Sequence, residues 1–353
     1  MTATDANDDL LYTVTDGIGR ITFNRPHARN AMTFAMYERL AEICQAANAD
    51  RSIKVLILTG TGDKAFASGT DISQFRAFKS PQDSLDYEAR IDRVFGALES
   101  CRVPTIAAIA GACTGGGAGL AACCDMRIGT ASARIGFPIA RTLGNCLSMS
   151  NISRLVALVG SARTKDIIFT ARLIEAPEAL TLGLLNEVVP DVEALQIRSE
   201  ETARLLASHA PLTLEVTKEA VRRLRPNLTR DEGEDLILKA YMSADFREGM
   251  EAFLSKRKPV WRGNSRPASG DYSLLSAGFD LNTSSCFRMT EMMPTVASRV
   301  PLIARRSLTL LIGKRGIAIE KMSATVLCDD IEQIGFFRKV WLVDRPEISA
   351  SSW

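Results

Sequence analysis

Two glycine-bearing segments carry the residue types best suited to chemistry, Gly69-Thr70-Asp71 and Gly115-Gly116-Gly117. Glycine has no Cβ, so a ligand can approach its backbone closely, and the chain can turn sharply there. The run Leu120 to Cys124 that follows the triple glycine is small and apolar, and reads as a buried helix. Free backbone N–H groups at a helix N-terminus bind negative charge. The triple glycine is therefore a site for a developing oxyanion or a phosphate; the same three residues also suit a turn that needs close packing. Two N–H groups from separate loops make an oxyanion hole, whose natural target is a carbonyl becoming an enolate or a tetrahedral adduct.

Other chemistries find less material. Gly60-Thr61-Gly62-Asp63-Lys64-Ala65 fits the loose dinucleotide pattern G-x-G-x-x-A, but it runs into Phe66-Ala67-Ser68-Gly69-Thr70 rather than opening a helix. No Walker A sequence is present. The eight cysteines form no C-x-x-C pair and read as buried reduced thiols, so no metal site is expected. With only His27 and His209, histidine-based triads and zinc sites have few candidates. The net charge of +2 gives no electrostatic reason to expect nucleic acid. No apolar run is long enough to span a bilayer, and the acidic, polar start lacks the basic and apolar regions of a secretory signal. A cytoplasmic protein is the expectation.

These loops need a frame. Leu10–Val14 and Arg20–Phe23 flank Asp16-Gly17 as a hairpin; Thr33 caps a helix carrying Met36, Leu40, Ile43 and Ala47 at helical spacing. Ile53–Leu58, Thr105–Ala110 and Met126–Gly129 are expected strands, with a helix over about Pro81 to Ser100. Ala133–Asn145 reads as a loop. Helices are expected over Ser150–Val159, Ala162–Phe169 and Ala176–Leu185, the last stopped by Gly183, with a short strand at Asn186–Val189. Three more helices follow, Val192–Ser208, Thr213–Leu224 and Arg230–Leu254. Alternating strands and helices indicate an α/β fold with a helical end. In a parallel sheet both glycine loops lie at one carboxyl edge, where α/β sites assemble. The segment from Gly263 on changes texture; Ser307–Ile312 and Thr325–Leu327 are candidate strands within what reads as a poorly ordered tail or small appendage.

A resemblance now becomes visible. N-R-P-H-A-R-N-A-M (24–32), A-F-A-S-G-T-D-I (65–72), the run G-A-C-T-G-G-G-A-G-L-A-A-C-C-D-M-R-I (111–128), A-P-E-A-L-T-L-G-L-L-N-E-V-V-P (176–190) and F-L-S-K-R-K-P-V-W (253–261) occur in that order. Together they resemble the enoyl-CoA hydratase/isomerase (crotonase) superfamily over about residues 10–262. The resemblance implies a spiral of ββα units over 1–190, a helical C-terminal region over 191–262, and an atypical extension, 263–353, outside it. It also implies an acyl-CoA thioester substrate with coenzyme A as part of it and no separate cofactor, a role in fatty acid metabolism, and a homotrimer or dimer of trimers. By the same resemblance the oxyanion-hole donors are the N–H groups of Thr70 and Gly116. Ala67, Ser68, Asp71 and Ile72 line the acyl-CoA path, the loop bearing His27, Ala28 and Arg29 runs beside the CoA moiety, and the basic run containing Lys256 approaches its phosphates.

The chain departs from the superfamily at the acid and base. Hydratases carry one glutamate in G-G-G-x-E and a second after a proline; here those positions hold Gly119 and, after Phe137-Pro138, Ile139. Shifting the second by one gives Ala140. Hydration needs a base for water and an acid for Cα within hydrogen-bond reach, and none of these side chains supplies either. Arg141, Asn145 and Cys146, in the loop after the lost glutamate, are candidate substitutes, and Asp71 and Asp125 are the nearest carboxylates in sequence. The expected activity is hydration or isomerisation of an enoyl-CoA through a stabilised enolate. The alternatives are decarboxylation or other enolate chemistry, a fold that binds acyl-CoA without catalysis, and a hydrolase using Ser68.

Overall fold

A computed structural model describes residues 9–226, 232–263, 311–313 and 316–318. The chain divides into two units, Met1–Gly270 and Asp271–Trp353. In the first, β1 (Leu10–Thr15) and β2 (Ile18–Phe23) form the expected hairpin, with Asp16 and Gly17 both at positive φ. α1 (Phe34–Ala49) follows, its Thr33 Oγ1 accepting from Met36 N as a cap. β3 (Val55–Gly60) starts two residues later than the apolar pattern suggests, because Asp50 to Ser52 make a turn closed by Asp50 Oδ1 accepting from Ser52 N. β4 (Ala65–Ala67), a 3₁₀ turn (Ile72–Ala77) and α2 (Pro81–Glu99) come next.

The central stretch is more divided than its sequence suggests. β5 (Thr105–Ile109) ends before the glycines, and a separate strand, β6 (Ala112–Thr114), leads into them. α3 (Gly116–Cys123) begins on the glycines themselves, not after them. Glycine in a helix interior costs about 1 kcal/mol relative to alanine, yet larger residues do not fit here. A Cβ on Gly117 would sit 2.1 Å from Ala67 O. Burial of Ala118, Leu120, Ala121 and Cys123 offsets the propensity cost. β7 (Met126–Thr130) follows.

Residues 133–145, expected as loop, instead hold β8 (Arg134–Gly136) and α4 (Ile139–Thr142). β8 is made by pairing with β6, a non-local partner that three residues cannot announce. The two helices expected after it form α5 (Met149–Thr170), broken at Gly160 by φ 78°, ψ 163°. Then come β9 (Ile174–Glu175), α6 (Ala176–Thr181), β10 (Glu187–Val189), α7 (Val192–Ser208) and α8 (Pro211–Arg223). The single long helix expected over Arg230–Leu254 is two, α9 (Glu234–Tyr241) and α10 (Ala244–Leu254), separated where Ser243 Oγ caps Phe246 N.

Two sheets result. One has the order β1-β2-β3-β5-β7-β10, parallel from β2 onward. The other, β4-β6-β8-β9, is parallel across its first three strands. Strand pairs alternating between two sheets with helices packed outside give the mixed α/β architecture expected of the crotonase spiral. The main core joins both sheets to α1, α2 and α3, including Phe23, Tyr37, Phe66 and Phe95. No helix among the described residues is long and apolar enough to cross a membrane.

In the second unit β11 (Leu311–Gly313) pairs antiparallel with β12 (Gly316–Ala318). Only the end of the expected strand Ser307–Ile312 coincides with it. Thr325–Leu327, and most of the segment read as a tail, lie outside the described residues.

Candidate active site

The two glycine loops meet. β4 and β6 are adjacent parallel strands, so the chain leaving β4 at Ser68-Gly69-Thr70 lies beside the chain leaving β6 at Gly115-Gly116. Gly69 (φ 108°) and Gly115 (φ 54°, ψ −121°) take backbone conformations that L side chains rarely adopt, which is why both turns need glycine. A Cβ built on Gly116 would lie 3.5 Å from Thr70 N, so the two backbones face one small volume.

The direction of Thr70 N–H follows from its neighbours. Met32 pairs with Thr70 as a parallel bridge, with Met32 N donating to Gly69 O and Asp71 N donating to Met32 O, both at 2.8 Å. That pattern uses the groups on either side of Thr70 and turns its own N–H away from Met32. Gly116 is the first residue of α3, where an N–H has no partner within its helix. Both N–H groups are thus available to an oxygen between them.

The Thr70 side chain is held in place. Its Oγ1 lies 3.0 Å from Tyr37 Oη and 2.8 Å from Tyr87 Oη. Burial pushes both phenols above their ordinary pKa, so they stay neutral hydrogen-bonding groups. The Asn24–Met32 loop packs against the same turn, with Ser68 N donating to Arg29 O and Ser68 Oγ to Ala28 O. Arg29 and Asn30 both take positive φ, and Asn30 Nδ2 ties the loop to Thr61 O and Ala65 O.

Thus Ala28 and Arg29 pack against Ser68, Ala67 lies against Gly117, and Asp71 and Ile72 continue the chain from Thr70. Lys256 is an exposed residue just beyond α10, and its N–H donates to Phe253 O.

Asp71 has a local task. Its Oδ1 accepts from Ser73 N and Oγ, and its Oδ2 pairs with Arg25 at 3.1 Å. Burial alone would raise its pKa, but Ser73 and Arg25 outweigh that and hold it below the ordinary value. A lowered folded pKa means stability present above the ordinary carboxylate range and lost as pH falls. Asp71→Ala should therefore cost about 1 kcal/mol, the usual size of a lost cap. In denaturant titrations the gap to wild type should shrink below about pH 4. Asp125 is also structural: its Oδ2 accepts from Thr105 N, Thr105 Oγ1 and Lys218 Nζ.

Gly119 and Ile139, the positions where the resemblance places glutamates, are closed. A Cβ on Gly119 would lie 2.4 Å from Phe95 Cε2, with Phe95 itself buried. Ile139 is 6% exposed and starts α4. Arg141 is exposed, and Cys146 Sγ donates to Leu236 O, its thiol pushed up to about 12 by burial.

One ionisable residue carries no signal in the sequence. Glu88, on α2, is 5% exposed and accepts at Oε1 from Tyr241 Oη. Burial, then the nearby Asp92, raises its pKa to about 8 against the hydrogen bond from Tyr241. Nothing in its own helical stretch marks it, because its partners come from α9 and from the loop after α4.

The sequence matches the family model described as enoyl-CoA hydratase/isomerase over residues 13–264. It is 33% identical over 256 residues to a crotonyl-CoA hydratase of Syntrophomonas wolfei, covering 72% of this chain and 97% of that one. Among solved structures, it resembles an enoyl-CoA hydratase/carnitine racemase from Magnetospirillum magneticum at 33% identity. That match has a TM-score of 0.60 and covers 73% of this chain and 97% of the other. A methylmalonyl-CoA decarboxylase bound to 2-nitronate-propionyl-CoA matches with a TM-score of 0.66 at 28% identity, covering 73% and 100%. With two glycine loops juxtaposed at the strand ends of an α/β fold, and a family match over most of its length, the chain belongs to the enoyl-CoA hydratase/isomerase family.

Proposed function

We propose that the protein is an acyl-CoA enzyme that stabilises a thioester enolate between the N–H groups of Thr70 and Gly116. The observation that carries this reading is the approach of two donors that have no partner among the described residues, from adjacent parallel strands, with Thr70 fixed by two neutral phenols. Preorganised donors aimed at developing charge lower a barrier without reorganising during the reaction. Ala67, Ser68, Asp71 and Ile72 line the acyl path, and Ala28 and Arg29 run beside the CoA. Lys256, in the exposed basic run after α10, serves a CoA phosphate, and the expected assembly is a homotrimer or dimer of trimers.

The reaction class follows from what the site lacks. A two-glutamate hydration has no place here, since Phe95 occupies the space at Gly119 and Ile139 is apolar. Decarboxylation of a carboxylated acyl-CoA is the second reading. Loss of carbon dioxide generates the enolate with no base to remove a proton, and the match to a methylmalonyl-CoA decarboxylase favours it.

A panel of thioesters, including crotonyl-CoA, propionyl-CoA and methylmalonyl-CoA, tests both readings by calorimetry and by mass spectrometry of products. Binding is expected across the panel, with addition of water to crotonyl-CoA weak or absent. Loss of carbon dioxide from methylmalonyl-CoA supports the second reading. Failure to bind any thioester sinks the proposal.

A further inference from the structure

Glu88 is a buried carboxyl with no cation to explain it. Among the described residues no lysine or arginine pairs with it. The titratable groups near it are Tyr37 on α1, Tyr87 and Asp92 on α2, Tyr241 on α9 and Cys146 in the loop after α4. All are neutral or acidic. Burying a carboxyl in such surroundings is costly, so a purely packing role is better served by an apolar residue.

Its hydrogen bonds lead toward the acyl site. Tyr241 Oη donates to Glu88 Oε1 and accepts from Asn145 Nδ2 at 3.2 Å. The backbone N–H of Ser148 also donates to Glu88. Asn145 and Ser148 belong to the segment just after Ile139, where the second glutamate is missing. Tyr241 packs 6.2 Å, ring to ring, from Tyr87, whose hydroxyl touches Thr70 Oγ1. One aromatic ring therefore separates this trio from the residue that supplies half of the oxyanion hole.

A second observation points to a ligand. Among the described residues, Asn145 Oδ1 is buried without a hydrogen-bond partner. An unpaired buried acceptor costs stability unless something fills it. A hydrogen-bond donor brought by a ligand or a water would satisfy it.

We propose that Glu88, Tyr241 and Asn145 form the proton-handling site of this enzyme and take the place of the missing glutamate pair. Resting on the acyl-CoA reading above, the step balances as follows. The Cα–H bond of the thioester breaks, its electron pair becomes the enolate, and the negative charge falls on the thioester oxygen between Thr70 and Gly116. Tyr241 Oη takes the Cα proton while giving its own to Glu88 Oε1, turning carboxylate into carboxylic acid. The reverse returns a proton to Cα. After decarboxylation only this return half is needed. Glu88 acts through Tyr241 and is a positioning residue, and Asn145 orients the phenol.

The test uses the full chain with propionyl-CoA in heavy water, following deuterium entry at Cα by mass spectrometry across pH, with binding measured by calorimetry. Exchange is expected in the wild type and rises with pH through about 8 as Glu88 ionises. Glu88→Gln and Tyr241→Phe should each slow it by roughly 10²-fold or more, the usual worth of a positioned acid or base, with propionyl-CoA affinity unchanged. Glu88→Asp should restore part of the rate with a displaced pH midpoint. Should the Gln and Phe variants fail to fold, Glu88→Asp decides alone. A displaced midpoint upholds the proposal and an unmoved one overturns it. Wild-type binding without exchange, or unaltered exchange in Glu88→Gln, also overturns it while leaving the acyl-CoA reading in place. No binding by the wild type is the distinct failure of that reading itself.

Discussion

Gly116→Ala should abolish most turnover of whichever thioester the protein uses. The added methyl would lie 2.2 Å from Tyr37 Oη, 3.3 Å from Thr70 Oγ1 and 3.5 Å from Thr70 N. It therefore enters the volume proposed for the oxyanion between the two N–H groups. Losing one such donor typically costs 10²–10³ in kcat, or about 2.7–4 kcal/mol. The clash with Tyr37 also threatens the fold, so a second variant separates the effects. Gly116→Ala with Tyr37→Phe removes the offending hydroxyl while keeping the methyl between the donors. The double variant should regain stability in denaturant titrations but not turnover. Recovery of near wild-type kcat in the double variant would show that Gly116 matters for packing alone, and the hole would have to be sought elsewhere.

How much of this was legible from the sequence depends on which interactions were local. The β1–β2 hairpin, α1 and α2 carry their signals within themselves, in Asp16-Gly17, in the Thr33 cap and in the Ser80-Pro81 start. The glycine loops were legible because their backbone demands glycine whatever surrounds it. What the sequence hid was non-local. β6 and β8 are three-residue strands that exist because each has a parallel neighbour, and nothing in Ala112–Thr114 or Arg134–Gly136 distinguishes them from loop. The break between α9 and α10 rests on the Ser243 cap within an unbroken helical pattern. Glu88 was illegible for the same reason. A glutamate on a polar helix reads as solvated, and its partners arrive from far along the chain, Tyr241 from 153 positions on and Ser148 from the loop after α4.

Gly119 stands where the resemblance places a glutamate, and in the structure Phe95 fills the space beside it, which leads to the second large effect. Gly119→Glu should destabilise the protein without creating a hydratase. The new Cβ would meet Phe95 Cε2 at 2.4 Å and Cζ at 2.9 Å. Phe95 has no slack to give, being 2% exposed and packed against Tyr37 with ring centroids 6.3 Å apart. Overpacking of this kind costs about 1–3 kcal/mol, and burying an unpaired carboxyl adds about 1–3 kcal/mol more. A loss of about 3 kcal/mol or more, read from the denaturant midpoint at constant slope, is the expected outcome. The steric part is isolated by adding Phe95→Ala. That change alone costs about 3–5 kcal/mol through its cavity, but the introduced carboxylate side chain then occupies the vacated volume, so the two losses should not add. A favourable coupling in the double-mutant cycle is expected, of roughly 1–3 kcal/mol for residues in contact. Neither variant should hydrate crotonyl-CoA at an appreciable rate, because Ile139 still stands where the second carboxylate of a two-glutamate mechanism belongs. A Gly119→Glu protein as stable as the wild type and newly able to hydrate crotonyl-CoA would mean that Phe95 yields freely. Its position would then be an accident of the resting state rather than the reason this chain has left two-glutamate chemistry.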